Sequence, residues 1–138
     1  MPAPATPAPR ASPVTDSSSR RIVLAENNPE LAWLLQTVLG QQPGWQCPTV
    51  VGSGAALLQA AQAAPADAYL VDLSLDDGSV LPWLARLRQL QRDALVIAFT
   101  GSATAELEAQ CRDAGCAALL RKDGDVGALL QALRGHLG

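Results

Sequence analysis

No apolar run in this chain approaches the ~20 residues a membrane-spanning helix needs, so none is expected to cross a bilayer. Cysteine is sparse. Cys47, Cys111 and Cys116 make an odd count with no CxxC pair. That argues against a disulfide scaffold and a structural zinc site, and it suits a reducing cytoplasm. Histidine occurs once, as His136, which excludes a His/Cys metal centre. Positive charge is also short. Ten Lys and Arg stand against thirteen Asp and Glu, for a formal net charge of -3 and a pI near 4.9. A basic nucleic-acid footprint is thereby not expected. Lysine itself is nearly missing, because nine of the ten basic residues are Arg and one is Lys122. What remains is mostly apolar. The 138 residues are 49% hydrophobic and 17% charged, one domain's length, and enough to bury roughly two-thirds of the unfolded surface.

Residues 1–20 differ from the rest. Five of the ten prolines fall in the first 13 positions, among Ala and Ser. Such a stretch cannot bury enough surface to offset its ordering entropy, so it is predicted to be a disordered, partly polyproline tail. It lacks the continuous apolar core of a secretory signal. Residues 21–138 carry eight basic and twelve acidic residues and alternate apolar runs with helical patterns. Strands are predicted at 21–25, 45–51, 68–71, 94–99 and 116–120. Helices are predicted at 29–39, 53–63, 80–90, 103–113 and 126–133. Pro29 suits a first helical turn, Gly40 a stop and Gly115 a C-terminal cap. Pro48 places the second strand at a sheet edge. Because the other strands are continuously apolar, both faces must be covered, which predicts a parallel sheet with helices on each side. Ligands of such sheets bind beyond the carboxyl ends of the strands.

The residues closing the strands are therefore the candidates. Glu26, Asn27 and Asn28 follow the first strand, Asp72 the third, Thr100 and Gly101 the fourth, and Lys122 the fifth. They amount to acids, an amide, a hydroxyl and the single ammonium of the chain. An ammonium is a compact point charge that a small acidic pocket takes more easily than a guanidinium fork.

The stretches Ile-Val-Leu-Ala-Glu26-Asn27-Asn28-Pro29, Leu-Val-Asp72-Leu-Ser-Leu-Asp-Asp-Gly78, Val-Ile-Ala-Phe-Thr100-Gly101 and Leu-Leu-Arg-Lys122-Asp123, in that order, resemble the response-regulator receiver domain of two-component signalling. The resemblance covers residues 21–138. It implies a doubly wound α/β fold with a five-stranded parallel sheet of order 2-1-3-4-5, as in flavodoxin and CheY. It further implies that Asp72 accepts a phosphoryl group from a sensor histidine kinase or a histidine phosphotransfer protein. Thr100 and Lys122 would contact that group. Mg²⁺ would be held by Asp72, the side chain of Asn27, the backbone carbonyl of Ser74 and, through water, Glu26. Lys122-Asp123 and the Asp-Gly-Ser stretch look most like the subfamily that usually carries a helix-turn-helix DNA-binding domain. The expectation here is a stand-alone receiver that signals through a protein partner, with a homodimer as one assembly, and that binds neither nucleic acid nor membrane.

Two departures from the family stand out. Asn27 replaces the usual Asp, which removes one charge and should weaken Mg²⁺. Leu119 replaces the usual switch aromatic. Together they support an alternative, a pseudo-receiver interaction module that works without phosphorylation. A phosphatase built on an aspartyl nucleophile would want a second acid two residues on, where this chain has Ser74, so no classical enzyme is expected. Asp76 and Asp77 read as a solvated turn, Gly52-Ser53-Gly54 as a turn rather than a phosphate loop, and Trp33 and Trp83 as packing residues. Cys116 reads as a small buried apolar residue, and His136 as a surface cation near a helix C-terminus.

Overall fold

The computed structural model describes residues 19–122 and 126–137. The expectations for residues 1–18 of the tail and for Asp123 lie outside the described residues. Twelve elements follow in order. They are β1 (Arg20–Ala25), α1 (Pro29–Gly40), β2 (Trp45–Val51), α2 (Gly54–Ala63), β3 (Ala68–Asp72), β4 (Ser74–Leu75), β5 (Gly78–Ser79), α3 (Leu81–Leu90), β6 (Leu95–Thr100), α4 (Ala105–Asp113), β7 (Ala118–Arg121) and α5 (Val126–Leu137). Five strands form a parallel sheet in the order β2-β1-β3-β6-β7. Counted among these five alone, the order is the expected 2-1-3-4-5. The antiparallel ribbon of β4 and β5 was not expected, since two-residue strands leave no periodic signal.

Alternation along the strands divides the core in two. Val23, Ala25, Tyr69, Val71, Val96 and Ala98 point to one side, where Leu57 of α2, Leu84 and Leu87 of α3 and Cys111 of α4 cover them. Ile22, Leu24, Ala68, Leu70, Ile97 and Phe99 point to the other, under Leu35 and Leu39 of α1 and Leu133 of α5. Each apolar strand thus serves two cores, which is why its sequence is continuously hydrophobic. At the edge, β1 advances from Arg21 to Val23 while β2 advances from Gln46 to Thr49. That extra residue is a bulge at Cys47-Pro48, and it accommodates a proline with no N–H to give the ladder.

The helices start at the carboxyl edge of the sheet, and side-chain caps mark three of the starts. Asn28 Oδ1 accepts from the N–H groups of Glu30 and Leu31 at 3.0 and 3.2 Å, with Pro29 at the first helical position. Ser53 Oγ accepts from Ala56 N–H at 3.0 Å, and Thr104 Oγ1 from Leu107 N–H at 3.1 Å. These bonds satisfy donors that a helix leaves open. The predicted Gly115 cap of α4 is present, with φ +98°. Gly115 N–H donates to Arg112 O at 3.0 Å and Cys116 N–H to Cys111 O at 2.9 Å, the paired bonds of a Schellman turn.

The two tryptophans read as packing residues separate. Trp83 lies over Gly54, so closely that a Cβ there would come within 2.2 Å of the indole. Trp33 is instead 67% exposed, against expectation. Helix α1 buries Ala32, Leu35 and Leu39, and one residue on from Ala32 is about 100° further round the helix, so Trp33 and the partly exposed Leu34 fall off the buried stripe.

Candidate functional site

The strand ends converge on one ammonium. Glu26 and Asp72 are both buried, each 3% exposed. Lys122 Nζ lies 2.7 Å from Asp72 Oδ2 and 3.0 Å from Glu26 Oε1. Strand β3 brings Asp72 level with Phe99 of β6, and the Lys122 ammonium stands 5.5 Å from the centre of the Phe99 ring. Two buried carboxylates need a cation, and a single one bridges them. Burial alone works to lower the lysine's pKa. The hydrogen bond and charge of Asp72, then those of Glu26, outweigh it and hold the ammonium above the ordinary lysine range.

Each carboxylate is also anchored by its own loop. Asp72 Oδ1 accepts from Ser74 N–H at 3.1 Å, and Glu26 Oε2 accepts from Asn28 N–H at 2.8 Å. Glu26 Oε1 has the ammonium as its partner. Thr100 closes β6, and its Oγ1 accepts from Ser102 N–H at 3.3 Å. The Thr100 carbonyl accepts from Lys122 N–H at 2.7 Å, tying the hydroxyl's strand to the lysine's. Leu119 pairs in register with Ala98 and lines a cavity of about 270 Å³ together with Cys111 and Cys116. His136 is exposed and Cys116 buried, as expected.

Asp76 and Asp77 are exposed, but solvation is not their whole role. Asp77 accepts from Gly54 N–H at 2.8 Å and Ala55 N–H at 3.1 Å, so it caps α2 from another loop. The bond from Gly54 N–H is the main reason its carboxyl stays below the usual range. Asp76 Oδ1 accepts from Asn27 Nδ2 at 3.2 Å. The one hint in the sequence was the pair of acids beside Gly78, whose φ of +94° turns the β4–β5 ribbon back on itself.

Among the described residues no three His, Cys, Asp or Glu side chains cluster as a metal site. The donors at the strand ends are nevertheless all oxygens, namely two carboxylates, the Asn27 amide and the Ser74 carbonyl. Such a set fits a hard cation of the Mg²⁺ type, which accepts few protein ligands and keeps its waters, and does not suit a softer metal.

The family model of the response regulator receiver domain matches residues 22–134. No curated protein matches the chain by sequence. Among solved structures, a LuxR-family two-component response regulator from Aurantimonas sp. SI85-9A1 is similar at TM-score 0.81 and 20% identity, over 87% of this chain and 86% of the other. A CheY-like receiver domain protein from Methanospirillum hungatei JF-1 is similar at TM-score 0.80 and 20% identity, over 87% and 94%. A response regulator from Burkholderia pseudomallei, with a phosphorylated aspartic acid, calcium ion and citrate, is similar at TM-score 0.75 and 28% identity, over 83% and 66%.

Proposed function

The chain belongs to the response regulator receiver domain family, and from that premise we propose that it accepts a phosphoryl group on Asp72 from a phosphohistidine partner in the cytoplasm and signals through a protein partner. Receiver domains are signalling modules of two-component systems. The observation that carries the proposal is the ammonium of Lys122 held at 2.7 and 3.0 Å between two buried carboxylates at the strand ends. The phosphorylated aspartic acid and calcium ion of the Burkholderia pseudomallei regulator support it by analogy.

Phosphoryl transfer to a carboxylate brings anion to anion, so the site must supply positive charge and position. Asp72 is the nucleophile. One of its oxygens forms the new P–O bond as the P–N bond of phosphohistidine breaks, and the imidazole nitrogen keeps the electron pair. Ser74 N–H holds Oδ1 and Lys122 holds Oδ2, so the carboxylate is oriented before the donor arrives. Lys122 then moves its contact from Asp72 to the phosphoryl oxygens while Glu26 keeps it in place. A hydroxyl that accepts one bond retains its proton to donate, so Thr100 turns that proton to a phosphoryl oxygen. Its carbonyl bond to Lys122 N–H passes the movement to β7 and Leu119. Asp72, the Asn27 side chain and the Ser74 carbonyl, with Glu26 through a water, would hold Mg²⁺, which would supply positive charge to the transferring group.

Intact mass after incubation with acetyl phosphate and Mg²⁺ tests the reading. One phosphoryl adduct on the wild type and none on Asp72→Asn is the expected result. No adduct on the wild type would refute the phosphoacceptor role and leave an interaction module that works without phosphorylation, the reading that Asn27 and Leu119 favour.

A further inference from the structure

The charge missing at position 27 has a replacement close by. Asn27 is exposed, and its Nδ2 donates to Asp76 Oδ1 at 3.2 Å. Asp76 is held there by its backbone, whose N–H donates to Gly52 O at 2.9 Å. Gly52 also leaves room for the pair. A Cβ at that residue would lie 3.2 Å from Asp76 Oδ2 and 3.9 Å from Asn27 Cβ. The loops after β1, β2 and β3 thus meet at Asn27, Gly52 and Asp76.

We infer that Asp76 is a positioning residue for the cation site: it orients the Asn27 amide and supplies, one residue removed, the negative charge that a carboxylate at position 27 would carry. This rests on the reading of Asp72 as a phosphoacceptor that works with Mg²⁺. A cation accepts only the oxygen of an amide, yet an asparagine can present either its oxygen or its NH₂. A carboxylate accepts and never donates. Asp76 therefore takes the NH₂ and leaves Oδ1 as the amide's remaining polar atom. Donation to a charged acceptor also polarises the amide and moves electron density towards Oδ1, since linked hydrogen bonds strengthen one another. The role is that of an outer partner that orients a ligand and tunes its basicity. Lys122 pairs with Glu26 and Asp72, so the charge of Asp76 is not spent on that ammonium.

The test is a Mg²⁺ titration of the full chain, read from the amide NMR shifts of residues 26–28 and 72–75. It needs no phosphorylation. The variants are Asp76→Asn, which keeps an acceptor and loses the charge, and Asp76→Ala, which loses both. Asp76 is exposed and its main-chain bond to Gly52 survives either change, so both variants fold. Affinity should fall in the order wild type, Asp76→Asn, Asp76→Ala, with Asp76→Ala about tenfold weaker, the low end for outer-shell partners. In the Asn27→Asp background the effect should shrink, because a carboxylate at position 27 has no NH₂ to be held away from the cation and Asp76 keeps only its charge effect there. Asp76 variants that bind Mg²⁺ as the wild type does would overturn this inference and leave the phosphoacceptor reading intact. If the wild type and Asp72→Asn both show no Mg²⁺-dependent shifts, the metal reading fails and this inference fails with it.

Discussion

Replacing Lys122 by Met removes the ammonium between Glu26 and Asp72 and keeps a stem of similar volume against Phe99. Both carboxylates then stay buried without a counter-charge. Removing one partner of a fully buried ion pair costs about 3–5 kcal/mol. The lysine side chain is 25% exposed, so water reaches the site and the cost falls below that fully buried range, to about 2–3 kcal/mol at pH 7. A ceiling follows independently. A carboxylate can always escape by binding a proton, at ~1.4 kcal/mol per pH unit between its ordinary range and neutrality, or about 4 kcal/mol. A protonated carboxyl needs no counter-ion, so the deficit of Lys122→Met should shrink on acidification. A domain with a margin of ~5–15 kcal/mol survives such a loss. Urea unfolding of both chains at pH 7, 6 and 5, followed by tryptophan fluorescence, gives the comparison. The wild-type lysine has the opposite window. Its pKa is raised, so its contribution is complete below the unfolded lysine value and is lost as pH climbs through the folded one. A deficit below about 1 kcal/mol at pH 7, or one that does not change down to pH 5, would refute the view that this ammonium balances two buried charges. In the same variant, beryllofluoride should no longer shift the amides around Thr100 and Leu119, and wild-type shifts there would remove Lys122 from the coupling.

Gly54→Ala should destabilise by about 1–3 kcal/mol, because the new methyl would overlap the Trp83 ring by more than the helix-propensity gain of up to ~1 kcal/mol offsets. Against a Trp83→Leu background most of that cost should vanish in a double-mutant cycle, and an equal cost in both backgrounds would show that the contact is not the cause. Burial pushes the Cys47 thiol up to about 11 and, with Cys111 beside it, the Cys116 thiol to about 12. At pH 8 only about 10⁻⁴ of Cys116 is thiolate, so a thiol reagent should label the folded chain slowly and titrate all three cysteines in denaturant. The sign for stability follows, since raised folded values mean that the contribution of the buried thiols is whole below about pH 9 and declines above it, which alkaline urea titrations would measure.

The fold was legible because burial has a local signature. Four apolar runs, each ended by a polar residue, announced a sheet covered on both faces and the edge where Glu26, Asp72, Thr100 and Lys122 stand. Pro48 marked the edge strand and Gly115 the cap of α4, since their backbone limits hold in any surroundings. Three features were not legible. The exposure of Trp33 depended on where the margin of the buried stripe on α1 falls, and helical periodicity does not say how wide that stripe is. The cap that Asp77 places on α2 joins residues 23 positions apart, and the bond from Asn27 to Asp76 spans 49. Exposed polar side chains leave no periodic trace, so the sequence by itself determined which residues reach the carboxyl edge of the sheet. Which of them touch was decided only when the tertiary structure brought the loops after β1, β2 and β3 together, because hydrogen bonds and ion pairs act across a few ångströms of space and not along the chain.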